Sequence, residues 1–135
     1  MKIRLADLNR TGDDTSGVEW ARTKKMGVNT LAFRLPQHRA FFDMDADCVG
    51  ITGKISWNKN SQWLRLLAVS GTPLFVSCQP DQAKGQIEAD LREAFRLSAD
   101  QQDTLIPLDW MENPWPERWM VNGKEMRFCW DEKLV

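Results

Sequence analysis

The chain has 135 residues, 42% of them hydrophobic and 27% charged, with a formal net charge of −1. That is the size and balance of one soluble domain. It excludes the basic footprint of a nucleic-acid binder, and no apolar run is long enough to span a membrane. No apolar leader segment opens the chain, and the cysteines (Cys48, Cys78, Cys129) are odd in number and too few for a disulfide framework, so reduced thiols in a cytoplasmic setting are expected.

Residues 2–8, "KIRLADL", alternate as a half-buried strand does. A helix is expected over residues 16–26, with Ser16 as N-cap and Gly27 as stop signal. "VNTLAFRL" fits strand or helix, and Pro36 breaks it either way. Residues 39–45, "RAFFDMD", read as a second strand that ends in acid, and residues 46–56 as a loop. "SWNKNSQWLRLLAVSG" is a helix by the spacing of Trp57, Trp63, Leu64, Leu67 and Ala68, stopped by Gly71. "TPLFVS", residues 72–77, has the continuous apolar character of a strand covered on both faces. The following amphipathic helix points Ile87, Leu91, Ala94, Phe95 and Leu97 inward, with Gly85 weakening its first turn. The tail holds four of the seven tryptophans, and its Asn122-Gly123 between alternating runs signals a hairpin. The expected fold is therefore α/β: three βα units over residues 1–100, then a Trp-rich extension over residues 101–135 that carries a β-hairpin.

In parallel α/β architectures ligands bind at the carboxyl ends of the strands. The first strand runs into Asn9, Arg10, Asp13 and Asp14, the second into Asp43, Asp45 and Asp47, and the third into Ser77, Cys78 and Gln79. Acidic loop residues are often merely solvated, but five carboxylates and an arginine on one rim form a candidate site. An EF-hand is excluded, because Cys48 and Lys54 occupy the places where its loop needs Gly and Glu. His38 lies away from the rim and is assigned a structural role. Cys48 and Cys78 are assigned to packing, as is the tail's Trp cluster.

Three stretches, in order, resemble the melibiase-type α-galactosidases and α-N-acetylgalactosaminidases, which are retaining glycosidases on a (β/α)8 barrel. "RTGDD" with a following Trp is similar to the end of their sixth strand. "FFDMDADCVG" is similar to the Asp-Pro-Asp-Met…Gly of strand seven, with Met44 in place of the proline. "NSQWLRLLAVSGTPLFVS" is similar to the helix and strand that close the barrel. The resemblance implies strands 6 to 8 of such a barrel. It places the general acid/base on Asp14 and substrate contacts on Arg10, Asp13, Trp20, Asp43 and Asp45, and it implies no metal or cofactor. The family's nucleophile, an aspartate at the end of strand four, has no counterpart. At about 31 residues per unit, roughly 155 residues of barrel would have to come from elsewhere. The implied partners are an α-galactoside-like carbohydrate and either a complementary barrel fragment or a second copy of the chain. A second resemblance, of "FFDMDAD" to the Asp-x-Asp nucleophile motif of haloacid dehalogenase-like phosphatases, implies a phosphohydrolase using Asp43. The third alternative is a non-catalytic remnant.

Overall fold

The computed structural model describes residues 8–40, 42–100 and 105–131, so the expected first strand at residues 2–8 lies outside them except for Leu8. Among the described residues the architecture is mixed α/β, with two short parallel strand pairs, three longer helices, a 3-10 turn at Pro80–Gln82 and a small antiparallel sheet.

β1 (Leu8–Arg10) leads through a loop into a long first helix. That helix is α over Trp20–Thr23, π over Lys24–Asn29, α again over Thr30–Arg34 and 3-10 over Leu35–Gln37. Two expectations fail here. Ser16 is not the N-cap; its hydroxyl accepts N–H bonds from Val18 and Glu19 at 3.1 and 3.3 Å and closes a turn ahead of the helix. Nor does Gly27 stop the helix, which runs straight through it. A Cβ at Gly27 would stand 2.9 Å from the Trp63 ring, so glycine there lets the helix lie directly on the tryptophan. The ambiguous "VNTLAFRL" is helical because Val28, Leu31, Ala32 and Leu35 make one buried stripe.

The second strand is shorter than expected and has a continuation that the sequence hid. β2 (Asp43–Asp45) pairs in parallel with β1, aligning Leu8 with Asp43 and Arg10 with Asp45. Residues 46–56, expected as loop, contain β3 (Cys48–Ile51), which pairs in parallel with β4 (Phe75–Cys78). The extended segment from Asp43 to Ile51 thus has β1 beside its first half and β4 beside its second. Met44, Ala46, Val49 and Ile51 are all buried, at 0–3% exposure. The step from 46 to 49 is one residue longer than strict alternation allows. The extra residue falls at Asp47, whose φ of 71° lies in the left-handed region.

One face of these strands packs on the helices in a continuous core with Val28, Leu31, Leu64 and Leu67. The other face carries no helix and is partly covered by the loop after β1, whose Gly17 lies on Gly50. Leu8 is 45% exposed and Phe75 42% exposed, and Ser77 is exposed beside Phe75. The expectation that residues 72–77 are covered on both faces is therefore corrected: β4 has helices on one side only. The helices Trp57–Ala68 and Gln86–Asp100 form as expected, except that Phe95 points to solvent and Gly85, at φ +59°, precedes its helix.

The tail packs into the same core through Trp119, Val121, Phe128 and Trp130. β6 (Arg118–Val121) and β7 (Lys124–Arg127) form the expected hairpin, with Asn122 and Gly123 at φ 49° and 78°, and β5 (Ile106–Pro107) adds a third strand. Arg118, and on its other side Arg127, pull the Glu125 carboxyl down to about 2.

Two predictions arise from this packing. Gly50 and Gly17 lie back to back, so that a Cβ on Gly50 would sit 2.7 Å from the Gly17 Cα. Gly50→Ala is expected to cost about 1–3 kcal/mol in urea unfolding, because backbone rather than a flexible side chain must yield. A loss within experimental error would mean that the loop moves aside freely.

The second prediction concerns His38. Its Nδ1 accepts the Met44 N–H at 2.9 Å, and its Nε2 lies 3.0 Å from the Gly71 carbonyl, so the bonds fit the neutral ring with its proton on Nε2. Burial lowers its pKa below the ordinary 6.5, against the opposing pull of the Gly71 carbonyl. As pH falls below the ordinary histidine range, the unfolded chain takes up a proton that the folded chain resists. Stability should therefore fall in that window and level off below the folded-state pKa. Unfolding measured from pH 7.5 downward should show this slope in the wild type and lose it in His38→Gln. Equal slopes would contradict the assignment.

Candidate functional site

β1 ends at Arg10, opposite Asp45, and Thr11 continues the pairing by donating its N–H to the Asp45 carbonyl at 3.2 Å. Register neighbours in a parallel pair share a face, so Arg10, Asp43 and Asp45 stand on the open side, away from the helices. The loop after β1 then bends back over the middle strand. Thr15, 1% exposed, anchors it through its N–H and hydroxyl to Asp47, at 2.6 and 3.1 Å, and through its hydroxyl to the Cys48 carbonyl at 2.9 Å.

Around that anchor the carboxylates sort into two groups. Arg10 donates a hydrogen bond from Nη2 to Asp14, four residues on, and the same Nη2 lies at ion-pair distance, 3.0 Å, from Asp47. The hydrogen bond Arg10 donates to Asp14, supported by the charge of Asp47, raises the Arg10 pKa against the opposing effect of burial. Asp45 accepts the Asp47 N–H at 2.8 Å on its Oδ1. Asp13 faces the other way. It accepts the N–H of Asp14 at 2.8 Å and the Arg22 guanidinium at 3.0 Å, and these hold its carboxyl below the usual range. Arg22 also donates from Nε to the Asp14 carbonyl at 2.7 Å, which fixes the backbone of the acidic turn.

Of the residues expected at the site, Arg10, Asp14 and Asp45 are brought together. Asp43 lies two residues lower on the strand, beside Leu8, and Asp13 is committed to Arg22. Trp20 is engaged elsewhere. Its indole donates to the Trp130 carbonyl at 2.7 Å, and its ring lies 6.2 Å from the Trp130 ring, so the contacts found for it serve tail packing rather than sugar stacking. Burial, then the Asp47 charge, raises the Cys48 thiol, and burial, then Asp81, raises Cys78.

Sequence reasoning counted Asp47 among the rim carboxylates without giving it a role, and passed over Thr15. Asp47 was visible as the last member of an Asp-x-Asp-x-Asp run. Its inward turn depends on the bulge, which no periodicity announces.

The groove of about 340 Å³ between the second and third helices, lined in part by Ser61, Arg65, Asp90 and Leu97, shares no residue with this cluster. Among the described residues, no group of three or more His, Cys, Asp or Glu converges as a metal site. No helix of the described residues is long and apolar enough to cross a membrane. No protein-family model matches the chain, and no curated protein matches it.

Proposed function

We propose that the chain is the acid/base-bearing segment of an α-galactosidase-like retaining glycosidase, equivalent to strands 6 to 8 of a (β/α)8 barrel. Its nucleophile would come from residues outside the chain. The observation that carries this reading is the open strand face. Arg10, Asp43 and Asp45 project from it, away from the helices and in register, as side chains project into the mouth of a barrel. Leu8 and Phe75 on the same face are 45% and 42% exposed, which suits side chains awaiting an opposite wall.

The chemistry follows from that placement. In a retaining enzyme two carboxyl groups stand about 5–5.5 Å apart; one protonates the departing oxygen and later takes a proton from water, while the other forms the glycosyl bond. Asp14 is 74% exposed on a turn braced by Arg22, with one carboxylate oxygen bonded to Arg10 and the other available to face a leaving group. Arg10 offers a cation for sugar hydroxyls, and Asp43 and Asp45 offer acceptors. Without a nucleophile no covalent intermediate forms, so the chain alone is expected to show no turnover of aryl α-galactosides. Turnover that is abolished in Asp14→Asn would refute this.

The phosphohydrolase reading also uses Asp43. Both readings put Asp43 at a strand's carboxyl end, whereas the extended segment runs on from Asp43 to Ile51, so the choice between them falls to ligand binding. A resonance-resolved NMR titration separates the two. Galactose is expected to shift signals of Arg10, Asp14 and Asp45 at millimolar concentration, and phosphate with magnesium to leave Asp43 unmoved. The reverse pattern would replace the glycosidase reading with the phosphatase one.

A further inference from the structure

The groove between the second and third helices holds about 340 Å³ and stands apart from the Arg10 cluster. Its floor is apolar: Leu64 and Ala94 are buried, and Leu97 is half-buried beside them. Its polar groups are nearly all engaged. Both oxygens of Asp90 are taken, one by the Trp57 indole N–H and one by the Gln86 amide, each at 2.7 Å. Both oxygens of Glu93 are taken by Arg96, at 2.6 and 2.8 Å. The Gln62 amide is bonded at both ends to the backbone of Cys129, at 2.9 and 2.8 Å. The Ser61 hydroxyl donates to the Asn58 carbonyl at 3.4 Å. Arg65 is the exception. Among the described residues its guanidinium has no hydrogen bond and no ion-pair partner.

We propose that this groove binds a small monocarboxylate with an apolar body, its carboxylate on Arg65 and its hydrocarbon over Leu64, Ala94 and Leu97. A planar guanidinium matches a carboxylate with two parallel N–H bonds, and it sheds water more readily than an ammonium does. An acceptor is therefore the group that the groove lacks. The charges around Arg65 decide which one. Asp90 and Glu93 line the same groove, so a doubly charged phosphate meets more repulsion there than a single carboxylate does. A cationic ligand, in contrast, finds both carboxylates already bonded. The volume sits at the low end of small-molecule sites, which hold about 300–1,000 Å³. It suits a short hydrocarbon chain rather than the helix of a protein partner, which is about 10–12 Å across. No residue of the groove belongs to the Arg10 cluster, so this site does not rest on the glycosidase reading.

The test titrates the whole chain with octanoate, octanol and octylamine and follows the methyl signals of Leu64, Ala94 and Leu97 by NMR. Octanoate is expected to shift all three and to bind about ten-fold more tightly than octanol, the size typical of one charge-assisted contact. Hexanoate, shorter by two methylenes, is expected to bind about ten-fold more weakly than octanoate. Arg65→Gln alters an exposed residue and should fold, and it is expected to bring octanoate down to the affinity of octanol. Octylamine that binds as tightly as octanoate would overturn the proposal from the wild type alone. So would octanoate that shifts the Leu8 methyls with the same midpoint, because that is unselective binding to exposed hydrocarbon. Octanoate that leaves the three groove signals unmoved, or that keeps its affinity in Arg65→Gln, would overturn it as well.

Discussion

Asp14→Asn is expected to lower the rate of aryl α-galactoside hydrolysis by about 10²–10⁴-fold in a completed enzyme, the usual contribution of general acid/base catalysis. The completed enzyme would be a chimera that places the first five βα units of an α-galactosidase ahead of this chain. Asp13→Asn should cost far less. Asp13 is turned to Arg22 and to the N–H of Asp14, so its removal loosens the turn without removing the proton donor. A dinitrophenyl leaving group needs little protonation and should partly restore the first step in Asp14→Asn. Equal losses at the two aspartates, or no rescue by the better leaving group, would assign the acid to another residue.

The second large effect concerns the tail. Trp130→Ala is expected to destabilise the chain by about 3–5 kcal/mol, a large part of the total stability of a small domain. Trp130 is 1% exposed, its indole donates to the Pro116 carbonyl at 2.7 Å, and its ring stacks on Phe128 at 4.9 Å. Its neighbour Asp131 holds Lys24 at 2.6 Å, and the Lys24 ammonium sits 4.3 Å from the centre of the Trp115 ring. These contacts tie the extension to the first helix, which follows the acid-bearing turn. Unfolding in urea should therefore show loss of tail and body signals together. A loss below about 1 kcal/mol, with the body's transition unchanged, would make the tail an appendage.

Much of this fold was legible in the chain because the signals were local. The helices Trp57–Ala68 and Gln86–Asp100 announced themselves by the 3.6-residue period, and Asn122-Gly123 by the left-handed pair that a tight hairpin needs. The misreadings share one cause, which is tertiary contact overriding a local rule. Gly27 looks like a stop, but it serves a close approach to Trp63. "CVGI" is too short to stand out as a strand and is held by pairing with "FVSC". Apolar character alone suggested that residues 72–77 were covered on both faces, but only the side towards the helices is covered. Within the site, Arg10 and Asp14 were singled out through the resemblance of "RTGDD", not as partners. Asp47 joins them only because the strand gains a residue there.

The central claim is that the open face of β1 to β4 is half of a larger structure. Sedimentation of the chain at micromolar concentration, read together with binding of a hydrophobic dye, tests it most directly. Among the described residues the outer edges of β1 and β4 have no strand partner, and with the partly exposed Leu8 and Phe75 they predict concentration-dependent self-association and dye binding. A stable monomer that unfolds cooperatively and binds no dye would contradict the claim and identify a self-contained α/β protein.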